Sequence, residues 1–167
     1  MLTHSPNSQL EAQGEPIKGE SGQSPSSKKK RARKAKTPEI IDYGVFTEER
    51  RLTATLPLRT QSESNCTENW KTRHSRHKRQ KMGVSLALAP QIKSVSLPCS
   101  IRFVRFAPRT LDHQDNLPMS FKWICDVVCS LLRPGLAPGR ADDSNLISFA
   151  YDQKKSKEYY IKIIIEY

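Results

Sequence analysis

The sequence predicts an α+β fold: a single mixed-sheet domain in the order β-α-β-α-β-β over 51–167, preceded by a disordered basic tail at 1–38 and a linker at 39–50. Three observations predict it. Apolar residues alternate with period two at 52–58 and 159–165, they recur every three or four residues at 117–132, and the first 38 residues show neither pattern. A folded stretch of about 120 residues is long enough to bury one core.

The tail is rich in Ser, Pro, Gln, Gly and Glu and has almost none of the aromatic and β-branched residues that would offset the entropy of ordering. It ends in a block of like charge, Lys28-Lys29-Lys30-Arg31-Ala32-Arg33-Lys34-Ala35-Lys36. Such a block either solubilises the chain or screens phosphates of a nucleic acid.

The first strand follows from Leu52, Ala54, Leu56 and Leu58 alternating with Thr53, Thr55 and Pro57, and Pro57 puts it near an edge or an end. A polar loop, Gln61-Ser62-Glu63-Ser64-Asn65, leads to a proline-free stretch from about Thr67 to Leu88. Its Lys, Arg and Gln content suits a solvent-facing helix, weakened towards its end by Gly83.

Cys99 to Phe106 reads as a strand with Ile101 and Phe103 on one face, Arg102, Val104 and Phe106 on the other, and Arg105 breaking the apolar face. Asn116 is the expected N-cap of the next helix, with Pro118 in its first turn. Leu117, Phe121, Ile124, Cys125, Val128, Cys129 and Leu132 give that helix its apolar face, and Arg133-Pro134-Gly135 stops it. Two strands, Leu146 to Tyr151 and Tyr159 to Glu166, close the domain, joined by a hairpin turn at 152–157.

The four cysteines, Cys66, Cys99, Cys125 and Cys129, have neither disulfide-scaffold density nor paired zinc spacing, so they are expected as reduced thiols, with Cys125 and Cys129 in the core. Lys and Arg number 28 against 17 Asp and Glu, a formal charge of +11. A polyanion is the partner that such a charge attracts first. No apolar run of about 18 residues and no signal pattern stands in the chain, so no membrane is expected. The expected location is cytoplasmic, nucleoid-associated in a bacterial or phage setting.

Two acidic loops stand out against this basic background: Asp112-His113-Gln114-Asp115 before the second helix and Asp142-Asp143 after it. Phosphodiester hydrolysis uses hard divalent cations to neutralise phosphate and activate water, and these cations take carboxylate oxygens. The same residues also suit plainer roles, an N-cap and a polar turn.

The ordered set Leu111-Asp112-His113-Gln114-Asp115-Asn116-Leu117, Lys122 and Asp126, then Asp142-Asp143, resembles the RusA-type Holliday-junction resolvases, and phage-encoded RusA-like endodeoxyribonucleases more closely still. Leu56-Pro57-Leu58, Ser62-Glu63-Ser64-Asn65, Trp70 and the cations after it extend the likeness upstream, so that it covers 51–167. The resemblance implies a RusA-like fold and an Mg²⁺- or Mn²⁺-dependent, structure-selective endonuclease in DNA recombination and repair, acting on branched DNA as a homodimer. It places Asp115 and Asp143 at metal-binding positions and Lys122 at the helix lysine that steadies developing charge. The family's remaining aspartate falls where this chain has His113. The carboxylate has moved to Asp112, which leaves Asp112 or His113 as the third ligand, with Asp142 as a further candidate. The alternative is a catalytically inactive DNA-binding relative.

On the first helix, Lys71, Arg73, Arg76, Lys78, Arg79 and Lys81 form the expected phosphate-contacting surface, with no base-reading motif among them. His74 and His77 lack a third ligand for a metal. Trp70 and Trp123 are expected to be packing residues rather than base-stacking platforms.

Overall fold

A computed structural model describes residues 41–64, 66–136 and 140–167. The expected tail, its basic block and Asn65 lie outside the described residues. Strands β1 (Gly44–Glu48) and β2 (Arg51–Leu56) come first, then helix α1 (Trp70–Leu88) and a single 3-10 turn at Ile92–Ser94. Strand β3 (Cys99–Ala107), helix α2 (Asn116–Leu132) and strands β4 (Ile147–Lys155) and β5 (Tyr160–Glu166) follow. The fold is α+β, with one mixed five-stranded sheet of order β1-β2-β5-β3-β4.

β5 takes a central place because its apolar side chains are the most continuous in the chain. Ile161, Ile163 and Ile165 are all fully buried. Ile163 stands between Ala54 of β2 and Phe103 of β3, and Ile165 between Leu52 and Ile101. Both helices pack over this face. α2 contributes Leu117, Phe121, Ile124, Cys125, Val128 and Cys129 to the core, with the Phe121 ring 5.3 Å from that of Phe103.

Two expectations are corrected. The 39–50 stretch is not all linker, since β1 lies within it and pairs antiparallel with β2 through a tight turn at 49–50. Nor do the last two strands form a hairpin. β4 runs parallel to β3, as strands joined through a crossover helix do, and β5 pairs with the opposite edge of β3. Residues 152–155, expected as turn, continue β4. The order is therefore β-β-α-β-α-β-β.

The buried stripe of α1 is Arg76, Gln80, Val84 and Leu88, spaced by four, so half of what it buries is polar. Both polar members of the stripe have partners: Arg76 binds Glu63 and Glu68, and Gln80 Nε2 donates to Arg59 O at 2.8 Å. Gly83 does not interrupt the helix. A Cβ there would sit 3.4 Å from Leu58 Cδ2, an ordinary van der Waals contact with the loop after β2.

Candidate functional site

The loop leading into α2 is held from three sides. Arg105 on β3 is only 6% exposed, and its guanidinium donates to Thr60 Oγ1 at 3.2 Å and Arg109 O at 2.7 Å. Gln153 on β4 makes a reciprocal pair with the Leu111 backbone, accepting from its N–H at 2.8 Å and donating to its carbonyl at 2.7 Å. Ser62 donates to Asn116 Oδ1 at 2.7 Å, which binds the β2–α1 connection to the start of α2. With its side chain so used, Asn116 is the first helical residue, and the N-cap falls on Asp115, one residue earlier than expected.

Within this loop the Asp112 carboxylate accepts the Asp115 backbone N–H at 3.0 Å, a local turn that occupies one of its oxygens. Asp112, His113 and Asp115 are all exposed. Asp142 and Asp143 follow the other end of α2, a helix of 17 residues and so about 25 Å long. Asp143 is exposed and meets Arg140 in a loose surface pair at 3.8 Å. Among the described residues no three His, Cys, Asp or Glu side chains stand close enough to share a metal ion. The structure therefore does not bring Asp112, Asp115 and Asp143 together within one chain.

Asp126 and Asp142 are instead within electrostatic reach of one another. Burial pushes the Asp126 carboxyl above its ordinary range, and Asp142 beside it pushes the same way, while Lys122 and Lys81 pull it down without cancelling the rise. Asp142 Oδ1 is buried and has no hydrogen-bond partner. Cys129, through its contact with Cys125 and its burial, and Tyr151, through burial and then Cys125, both titrate above their usual ranges, and Asp142 adds a smaller push to each. A buried carboxylate oxygen without a donor is left uncompensated, and a cation would satisfy it. Mg²⁺ is commonly held by one or two carboxylates together with waters and a substrate phosphate, so this donor pair fits it.

Asp115, Lys122 and Asp126 share one face of α2 by helical spacing, with Asp115 and Asp126 about 16 Å apart along the axis. Against that face lies α1. Lys81, Ser85, Trp123, Asp126, Val127, Ser130 and Leu131 line a cleft of about 390 Å³ between the helices. Lys81 Nζ sits 4.8 Å over the Trp123 ring, and His77 stacks on that ring at 4.3 Å.

Of the six cations expected to contact phosphate, Lys71, Lys78, Arg79 and Lys81 are exposed. Arg76 is not available. It is buried, and its guanidinium binds Glu63 at 2.6 Å and Glu68 at 2.9 Å. Arg73 is half-buried and donates to Cys66 O at 2.9 Å. His77 is likewise engaged, 3.0 Å from Glu63 Oε1. The two tryptophans part company: Trp123 packs as expected, whereas Trp70 is 71% exposed and packs in no core. Asp126 stands in the motif set that carries the resemblance, but the motif alone gives it no role at the metal. Its i,i+4 relation to Lys122 and its place on the polar face with Asp115 were the available signals.

The sequence matches no protein-family model and no curated protein. None of the helices of the described residues is long and apolar enough to cross a membrane.

Proposed function

We propose that the chain is an Mg²⁺-dependent endonuclease that cuts branched DNA, of the RusA-like kind that its ordered motifs resemble, acting as a homodimer in recombination and repair. The observation that supports this most is the buried, unpartnered Asp142 oxygen, within electrostatic reach of Asp126, whose carboxyl also feels Lys122 and Lys81. Asp126 and Asp142 would hold the metal, with Asp115 one DNA-backbone reach away on the same helix face. Bound Mg²⁺ supplies charge neutralisation at phosphate and a more acidic water. The exposed Lys71, Lys78, Arg79 and Lys81 hold the polyanion along α1, and Lys122 faces the charge that develops at the phosphate.

The test is nicking of a four-way junction and of a matched linear duplex, with Mg²⁺, with Mn²⁺ and with EDTA. Metal-dependent cutting of the junction supports the reading. A second reading, a DNA-binding relative without catalysis, draws on the carboxylates of the described residues not gathering in threes and on Asp112 being tied into its own loop. Junction binding without cutting in either metal would select it.

A further inference from the structure

We propose that Trp70 is a stacking platform for an unpaired base, so that it, rather than the cationic surface, separates branched or single-stranded DNA from duplex. This rests on the DNA-directed reading above.

A tryptophan carries a large apolar surface that folding normally buries. Trp70 leaves 71% of its surface exposed, and its ring partner among the described residues is the Lys71 ammonium at 5.8 Å. The chain's other tryptophan shows what packing looks like here, with His77 at 4.3 Å and Lys81 at 4.8 Å from its ring. An indole that remains open on a helix whose exposed side chains include Lys71, Lys78, Arg79 and Lys81 faces a polyanion by charge. The first turn of α1 holds no acidic residue to oppose that potential. Of the parts of a polyanion, the flat apolar face of a base is what complements an indole.

Its place in the fold favours a branch point. α1 and α2 run side by side in the same direction, since His77 meets Trp123 while Ser85 shares a cleft with Ser130 and Leu131. Trp70 precedes His77 by the same seven residues by which Asn116 precedes Trp123. The Ser62–Asn116 hydrogen bond ties that end together. Trp70 therefore stands at the Asp115 end of the α2 stripe, about 16 Å along the helix from Asp126. A strand whose phosphates lie along the stripe would bring a base to Trp70 only where that base is unpaired, because paired bases are stacked on their neighbours.

The experiment uses the full chain. Affinities of the parent, Trp70→Ala and Trp70→Phe are measured for oligothymidylate, a forked duplex with one unpaired arm, and a fully paired duplex. A Trp123→Phe variant reports Trp70 emission alone, since the chain has 2 tryptophans. The expected result is quenched Trp70 emission with the first two ligands. Trp70→Ala should lower their affinity by on the order of 10- to 100-fold while duplex affinity stays within about twofold, and Trp70→Phe should recover most of the loss. An equal loss on all three ligands, or none, overturns the proposal. So does a blue shift of Trp70 emission with protein concentration alone, which would assign the indole to a second copy of the chain. DNA binding with unchanged emission removes this proposal and leaves the DNA-directed reading intact, whereas no binding to any of the three removes both.

Discussion

Glu63 Oε1 lies 2.6 Å from Arg76 Nη1, an ion pair in which both side chains are only 10% exposed. The same oxygen is 3.0 Å from His77 Nε2, and Arg76 also reaches Glu68. One carboxylate thus fastens the β2–α1 connection to two successive residues of α1. Removing one member strands a buried charge, which is costlier than replacing both. Arg76→Ala should lower unfolding free energy by about 3 kcal/mol, measured by urea denaturation. A change under about 1 kcal/mol would class it with surface ion pairs.

Glu63 also sets a pH dependence. Burial works to raise its pKa, but Arg76 and His77 hold it, on balance, below the ordinary value of 4.5. A depressed carboxyl contributes stability that is present above the unfolded value and is lost as pH falls through the folded one. The acid limb of the stability curve should therefore lie below pH 4.5, and Glu63→Gln should flatten it. An unchanged limb in the variant would assign the acid transition to other carboxylates.

Asp126 has the opposite sign. Its folded pKa is raised, by burial first and by Asp142 second, so its ionised form costs stability once pH exceeds the unfolded value of 3.8. Asp126→Asn should raise the melting temperature at neutral pH by a few degrees, a gain of about 0.5–2 kcal/mol of the kind seen when a strained functional charge is removed. Added Mg²⁺ should raise the melting temperature of the parent and not that of the variant, because ligand binding stabilises only the form that binds. A variant less stable than the parent at pH 7 would contradict the upward direction of the Asp126 shift.

The exposed cations of α1 are separable from the buried one. Neutralising Lys78, Arg79 and Lys81 together should weaken DNA binding irrespective of sequence and reduce the slope of log affinity against log salt by roughly 2 to 3. Filter-binding or anisotropy titrations across salt concentrations measure this. Arg76→Gln, in whatever fraction folds, should leave the slope unchanged, and an unchanged slope in the triple variant would remove α1 from the interface.

Much of this architecture is legible in residue order. α2 follows from its apolar spacing within a residue of its observed start, and β5 from its alternating isoleucines. The missed features have long-range causes. β1 has few apolar residues and is a strand because β2 offers an edge, a relation that no local pattern records. The false hairpin arose because two adjacent strands joined by a polar turn look alike whether or not a third strand lies between them. Arg76 looked like its exposed neighbours, since Glu63 and Glu68 approach it only through the fold. In the site, the motif residues were visible as such, but Asp142 proved to be the inward-facing member of its pair, and Asp126 gained its meaning only from Asp142.

The most direct measurement is the single-turnover nicking rate of a four-way junction in Mg²⁺ by the parent, Asp126→Asn and Asp142→Asn, with junction affinity recorded alongside. Each substitution should slow cutting by on the order of 100-fold or more while affinity stays equal or rises, since removing a negative charge does not weaken attraction to phosphate. Parental rates in both variants, or a parent that binds the junction and leaves it whole in Mg²⁺ and Mn²⁺, would contradict a metal centre at Asp126 and Asp142.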